Sequence, residues 1–282
     1  MNALPDIGPD SPAARHPDDF RDRHILVTGA ASGIGAAVAR QLLARGARVS
    51  AVDLDETGLQ RLHALAADAP QGGADLSDRL WIAPLDVRDA AQVEATIAQA
   101  EAALGPLHGL ASVAGVLEMG DVADLSDAQW AHCFDVNVTG VFHLCRAVAR
   151  RLRERRTGAI VTVSSNAATT PRAGMAAYAA SKAAATQLTR CLGLELALHG
   201  IRVNIVSPGS TDTAMQQAMW ALGSSREAVI AGDPARWRLG IPLAKIATPD
   251  EIAQAVLFLL SDQASHITLH DLRVDGGATL DQ

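Results

Sequence analysis

From His24 onward, short runs of apolar and β-branched residues alternate with longer stretches whose apolar positions recur every three or four residues. The short runs predict strands at Ile25–Thr28, Arg48–Val52, Leu80–Leu85, Leu107–Val113, Ala159–Ser164, Arg202–Val206 and Leu269–Val274. The longer stretches predict helices at Gly33–Ala44, Glu56–Ala67, Ala90–Leu104, Asp127–Arg153, Met175–Leu198 and Pro249–Ser261. Nearly continuous apolar strands suit a sheet covered on both faces. Strand–helix alternation at this pitch implies crossover units, and so an α/β domain with a doubly wound sheet of seven parallel strands and helices on both faces.

The residues between these runs agree with them. Gly46 and Gly200 each follow a helix and precede a strand, where a left-handed residue ends a helix. Ser126 with Gln129, and Thr248-Pro249-Asp250-Glu251, read as capping boxes, the second with proline at the first helical position. Asp68–Asp78 reads as a surface loop. Met1–Phe20, with its acids and prolines, reads as a flexible tail, which leaves residues 21–282 as a single domain. Arg150–Arg156 falls at a helix C-terminus, where cations offset the dipole, and reads as a solvated helix end.

Composition narrows the field. Apolar residues make up 49% and charged residues 20%, enough for a core and too little charge for global disorder. The net charge of −7 argues against a partner bound through its phosphate backbone, so nucleic acid is not expected. The run Ala255–Leu260 is far shorter than the roughly 20 apolar residues of a membrane span, so no membrane is expected. A start without a basic region followed by an apolar stretch is not a secretory signal, and a cytoplasmic protein is expected. Cys133, Cys145 and Cys191 are far apart and odd in number; they read as packed helix positions, with no metal site.

The chemistry concentrates in two places. The first strand runs into Thr28-Gly29-Ala30-Ala31-Ser32-Gly33-Ile34-Gly35 and then a helix, where glycines let the backbone approach a pyrophosphate at the positive helix end. Eighteen residues past Gly35 stands Asp53, an acid that can accept from the adenosine ribose hydroxyls and repel a 2′-phosphate. Asp55 adds a second acid and no Lys or Arg occupies the glycine turn, so NAD is expected rather than NADP. The second place holds Tyr178, the only tyrosine, and Lys182, one of two lysines, four apart on one helix face. A neighbouring ammonium is expected to lower the phenol pKa and make Tyr178 a usable base. Ser165 lies just past an apolar strand, where its hydroxyl can bond a substrate oxygen, and Asn137 is an amide inside an otherwise apolar helix.

Together these residues resemble the short-chain dehydrogenase/reductase family, whose Rossmann-like fold is the one predicted above. The resemblance runs from Arg23 to Gly277, through Thr28–Gly35, Asp86-Val87, Ala114-Gly115, Asn137, Ser165, Tyr178-x-x-x-Lys182, Pro208-Gly209-x-x-x-Thr213 and Asp275-Gly276-Gly277. It implies a catalytic set of Asn137, Ser165, Tyr178 and Lys182, with Asn137 holding a water that links Lys182 to solvent. It implies NAD contacts from Gly29, Ser32, Gly33, Ile34, Gly35, Asp53, Asp86, Val87, Ala114, Gly115, Tyr178, Lys182, Pro208, Gly209, Thr211 and Thr213. It also implies a homotetramer paired through Asp127–Arg153 and Met175–Leu198. One departure is Ser112-Val113 where the family has two asparagines before Ala-Gly.

Further segments resemble one subgroup, the 2,3-dihydro-2,3-dihydroxybenzoate dehydrogenases of catechol siderophore pathways. They are Thr170-Pro171-Arg172-Ala173-Gly174-Met175, Pro208 to Trp220, Gly240 to Ala247, and Ser265 to Leu269, the last being glycine in most of the family. This implies a cyclohexadiene diol carboxylate as substrate, met by Ser165, with Arg172 as carboxylate anchor and Met175, Met215 and Trp220 as apolar wall; the residues by themselves equally suit a solvated loop arginine and ordinary core or interface positions. Members of the subgroup carry arginine where this chain has Glu118. Either Arg172 replaces that arginine or the substrate differs, for instance dihydro-3-hydroxyanthranilate or another alcohol or ketone. A cofactor-sensing regulator without turnover would be free to lose Tyr178 or Lys182, and both are present.

Overall fold

The computed structural model describes residues 19–67, 76–221 and 225–280. The predicted tail lies outside them as far as residue 18, and its end does not behave as a tail. Phe20 is fully buried and its amide donates to Arg45 O at 3.2 Å, while Asp19 lies 3.6 Å from the Arg45 guanidinium. Burying a phenyl ring is worth about 2 kcal/mol, which pins the chain ahead of the first strand.

Seven parallel strands form one sheet, β1 (His24–Thr28), β2 (Arg48–Asp53), β3 (Leu80–Pro84), β4 (Gly109–Ser112), β5 (Gly158–Val163), β6 (Ile201–Pro208) and, after two short strands, β9 (Asp271–Val274). Their order is β3-β2-β1-β4-β5-β6-β9. All seven predicted strands are present, and the fourth is shorter than predicted because Leu107 and His108 precede the ladder. Period-two alternation sends side chains to two cores. Ile25, Val27, Val49, Ala51 and Val161 join one cluster, while Leu26, Val52, Leu110 and Ile160 join the other.

The first core is covered by α1 (Gly33–Ala44), α2 (Glu56–Ala67) and α9 (Pro249–Leu260). The second is covered by α3 (Ala90–Leu104), α5 (Val141–Arg155) and α6 (Ala176–Ala197). Both capping boxes form, at Ser126/Gln129 and Thr248/Glu251, and Gly46 and Gly200 take φ of 89° and 73°. Most of the predicted loop Asp68–Asp78 lies outside the described residues.

Four local features differ from the sequence reading. The predicted helix Asp127–Arg153 is α4 (Asp127–Phe134) and α5 joined by a π-turn at Asp135–Gly140. The cluster Arg150–Arg156 is not simply solvated: Arg150 and Arg151 reach Glu94, and Arg151 and Arg155 reach Glu101, both acids of α3. Cys133 and Cys145 are buried but Cys191 is exposed, on a face of α6 that the chain itself leaves open. Between β6 and α9 the chain adds α7 (Ala214–Ala221), α8 (Arg226–Ala231) and a ribbon of β7 (Gly232–Asp233) with β8 (Arg238–Leu239). Among the described residues no helix is long and apolar enough to cross a membrane, and no His/Cys/Asp/Glu group could hold a metal ion.

At the amino ends of the strands, His24 is fully buried; its Nδ1 lies 2.6 Å from Gly105 O and its Nε2 2.7 Å from Ser50 Oγ. A carbonyl only accepts, so Nδ1 carries the proton and Ser50 donates to Nε2. Burial and the nearby Arg48 disfavour the imidazolium, opposed by the Gly105 bond, and the pKa falls to about 4. The unfolded chain, with a histidine pKa of about 6.5, therefore binds the extra proton between pH 6.5 and pH 4. Stability is full above that window and should fall by about 3 kcal/mol across it as pH drops. In His24→Gln, thermal unfolding followed against pH should lose this part of the slope. Parallel curves for the two proteins would contradict the assignment.

Candidate active site

Strand order reverses between β1 and β4, and a crevice opens at their carboxyl ends. The glycine turn fills one side of it. A Cβ on Gly35 would sit 2.0 Å from Gly29 O, and Gly29 has a φ of +69° with Ala114 N 2.8 Å from its Cβ position. Bare backbone is therefore required there. Ser32 is the N-cap of α1, yet its side chain makes no capping bond, so the first-turn amides of that helix keep their donors. Such a glycine-floored turn with free amides fits a pyrophosphate.

The adjoining cleft is lined by Gly29, Ser32, Gly33, Ile34, Gly35, Asp53, Asp86, Val87, Ala114, Gly115 and Thr213, all residues the sequence pointed to. Asp53 is held in place by backbone: Oδ2 accepts from Ala31 N and Oδ1 from Asp55 N, each at 3.0 Å. Thr28 Oγ1 accepts from Val113 N at 3.1 Å and Ala114 N at 3.2 Å, fixing the segment after β4. Ser112 has a buried hydroxyl with no hydrogen-bond partner among the described residues. Arg88 and His132 also line this cleft, and nothing in the sequence spacing marked them. Arg88 donates bidentately to Asp86, from Nε at 2.9 Å and from Nη2 at 2.7 Å. That bond holds the Asp86 carboxyl below its ordinary pKa.

A second cleft opens from the first, sharing Ile34, Val113, Gly115, Thr213 and Met215. It is lined by Ser165, Tyr178, Lys182, Pro208, Gly209 and Thr211, together with Arg172 and Met175. Helix α6 carries Tyr178 and Lys182 inward on one face, with Lys182 Nζ 5.8 Å from the Tyr178 ring centroid. The same helix is stitched to the end of β5. Lys182 Nζ donates to Val163 O at 3.0 Å, and Ser164 Oγ lies 2.6 Å from Thr186 Oγ1. Ser165 caps the turn after β5 by accepting from Ala167 N at 3.1 Å. Gly209 exists because a Cβ there would stand 2.6 Å from Asp275 Cβ.

Asn137 does not line the cleft. It is fully buried behind it, in the π-turn. Its Oδ1 accepts from Val116 N, and its Nδ2 donates to Val116 O and to Ser181 Oγ, all at 2.9 Å. Both amide hydrogens are spent, so only the second lone pair of Oδ1 is left for the water the sequence reading assigned to it. Oδ1 and Lys182 Nζ each lie 3.1 Å from the Cβ position of Gly115. A side chain at that position would crowd both.

Electrostatics correct one expectation. The Tyr178 pKa is raised, because burial opposes the phenolate; the Ser165 hydrogen bond lowers it and Cys133 raises it. Burial also lowers Lys182, to about 8. In the protein alone, desolvation thus outweighs the help expected from the ammonium, whose Nζ is turned to Val163 O.

Trp220 is not in the cleft wall. It packs with Val229, Ile241, Ile246 and Ala278, and its indole N–H has no hydrogen-bond partner among the described residues. Met219, Val229, Arg238 and Leu239 occupy the wall instead. They come from α7, α8 and the ribbon, elements too short to leave a period in the sequence. Glu118 stays out of the wall because its carboxylate is taken by His132 Nδ1 at 2.8 Å.

Residues 29–279 match the family described as Enoyl-(Acyl carrier protein) reductase. The 2,3-dihydro-2,3-dihydroxybenzoate dehydrogenase of Bacillus subtilis (strain 168) is 51% identical over 90% of this chain and 95% of its own. The enzyme of that name from Escherichia coli (strain K12) is 45% identical, over 93% and 99%. Among solved structures, levodione reductase has a TM-score of 0.83 at 29% identity, covering 92% of this chain and 98% of its own. A short chain dehydrogenase/reductase family protein has a TM-score of 0.78 at 33% identity, with the same coverage.

Because Tyr178 is the only tyrosine, phenolate absorbance near 295 nm reports its titration without any assay of activity. In the protein alone the midpoint should lie above the ordinary value of about 10, with folding checked by circular dichroism. A midpoint below that value would show that Lys182 governs the phenol and that burial does not.

Proposed function

Because the chain belongs to the short-chain dehydrogenase/reductase family, we propose that it oxidises 2,3-dihydro-2,3-dihydroxybenzoate to 2,3-dihydroxybenzoate with NAD, in catechol siderophore biosynthesis. One observation carries this reading furthest. A single cleft joins Ser165, Tyr178 and Lys182 to Arg172, whose guanidinium makes no hydrogen bond or ion pair among the described residues. The curated relatives that bear that activity in their names support it over 90% or more of the chain. Asp53, fixed by two backbone amides at the end of β2, favours NAD over a cofactor with a 2′-phosphate. Arg88, the cation in that cleft, is already held by Asp86.

When bound, the oxidised nicotinamide supplies the hydride acceptor and a positive charge. With that positive charge and the Lys182 ammonium nearby, Tyr178 would give up its own proton and, as the phenolate, take the proton of the ring hydroxyl, while Ser165 would steady the substrate oxygen. Lys182, protonated below its pKa of about 8, offsets the phenolate charge. The ring ketone formed keeps two double bonds and tautomerises to an aromatic catechol, which favours oxidation. The reading is that of a cytoplasmic enzyme.

The test is NADH formation across a panel of cyclohexadiene diols, dihydro-3-hydroxyanthranilate and cyclic alcohols. The acid diol should be the preferred substrate, NAD should far exceed NADP in kcat/KM, and Asp53→Ala should narrow that gap. Tyr178→Phe should lose about 10²–10⁴-fold in rate. No turnover of the acid diol would reject the substrate, comparable use of both cofactors would reject NAD selectivity, and no turnover of any member would leave a non-catalytic sensor.

The enzyme is further proposed to be a homotetramer. A groove lined by Phe142, Cys145, Arg146, Leu188, Cys191 and Leu192 runs between α5 and α6, and Leu194 and Leu198 stand exposed beyond it. Such apolar faces on two long helices suit pairing with a second copy. Light scattering should give about four times the chain mass of 29.4 kDa. A stable monomer at micromolar concentration would exclude it.

A further inference from the structure

We propose that Arg238 is a second arm, with Arg172, of a two-guanidinium clamp for the ring carboxylate of the substrate; this rests on the reading above. The two residues come from different parts of the chain. Arg172 lies six residues before Tyr178 in the loop between β5 and α6, and Arg238 lies in β8, opposite Asp233 of β7. Both line the inner cleft that holds Ser165 and Tyr178, and both also line an outer cavity with Met119, Pro171 and Arg236. With Met175, Met219 and Val229 they line both spaces.

Neither guanidinium is in an ion pair among the described residues, although two acids stand near enough to be felt. Asp233 accepts from Ala235 N at 3.1 Å and lies 3.9 Å from Arg236. Asp275 accepts from Asn166 Nδ2 at 3.2 Å and from Gly277 N at 3.0 Å. Arg238 has one neutral partner, Ser210 Oγ, at 3.3 Å. Both arginines are half-buried, and their pKa values are lowered first by that burial; for Arg172 the charge of Arg238 is the next cause.

Two half-buried cations that repel each other, neither of them ion-paired although Asp233 lines the outer cavity with them, make a site that an anion relieves. A carboxylate offers two oxygens, one for each fork of donors. Held there, a ring acid is tied to the loop six residues ahead of Tyr178 and to the β7–β8 ribbon at once.

The test compares Arg238→Met, Arg238→Lys and Arg172→Met on the acid diol and on the same ring diol lacking the carboxylate, with folding checked by circular dichroism. Each methionine variant should lower kcat/KM for the acid by about tenfold or more and leave the neutral diol within about twofold. Arg238→Lys should recover part of the loss, as a point charge without the fork. The double methionine variant should lose less than the product of the single losses, since one carboxylate is shared. Equal losses on both diols, or no loss on the acid with Arg238→Met, would overturn the clamp. If the unaltered enzyme does not turn over the acid diol, the substrate reading fails by itself. Calorimetry with benzoate then decides the clamp: weaker binding in Arg238→Met supports it, and equal or undetectable binding in both proteins overturns it.

Discussion

The catalytic end of the molecule is organised around one buried amide. Asn137 accepts from Val116 N and donates to Val116 O and Ser181 Oγ, so a single side chain joins the segment after β4 to helix α6. Ser181 Oγ then donates to Tyr178 O at 2.7 Å, one turn back along the same helix. Gly115 is thereby set against Lys182 Nζ, and the floor of the first cleft is set against the wall that carries Tyr178. The π-turn Asp135–Gly140 makes this possible. Its extra residue turns Asn137 inward, while α4 and α5 on either side keep their own apolar faces on the core. An unpartnered group in that place costs about 1–3 kcal/mol, so loss of the amide would orphan several groups at once.

Burial sets the chemistry on both ends of the sheet, with opposite results. At the amino ends of the strands, His24 is kept neutral between Gly105 O and Ser50, and its burial is satisfied. At the carboxyl ends, the same desolvation acts on Tyr178, Lys182, Arg172 and Arg238, whose proposed roles require charge. Their charged forms are disfavoured until something of opposite sign arrives. The protein thus concentrates its unfavourable electrostatics where a cationic ring and an anionic substrate are proposed to meet.

Much of this was legible in the sequence because the carriers are periodic or stand in tight motifs. All seven sheet strands follow from apolar runs, and α1, α2 and α3 begin and end where the pattern said. Glycines at 29, 33 and 35 announced the turn through the backbone approach that they permit. What was missed has no period. The β7–β8 ribbon has two residues on each strand, too few to leave a pattern that would single out Arg238. Trp220 was placed in the wall by resemblance to the subgroup, which does not tell which side of a two-turn helix faces the ligand. The π-turn leaves no signature in a 3.6-residue pattern, and the arginines of α5 looked solvated because their acids lie about 50 residues earlier in the chain.

The claim at the centre of this account is that Asn137 works by holding the β4 segment against α6, and that the geometry of Tyr178 and Lys182 follows from that hold. Amide hydrogen exchange at Val116, read beside the rate of nicotinamide cofactor reduction in Asn137→Ala, tests it most directly. Protection of the Val116 amide should be lost together with activity, while the sheet amides of β5 and β6 stay protected. Activity lost with Val116 still protected, or Val116 opened with activity retained, would contradict it.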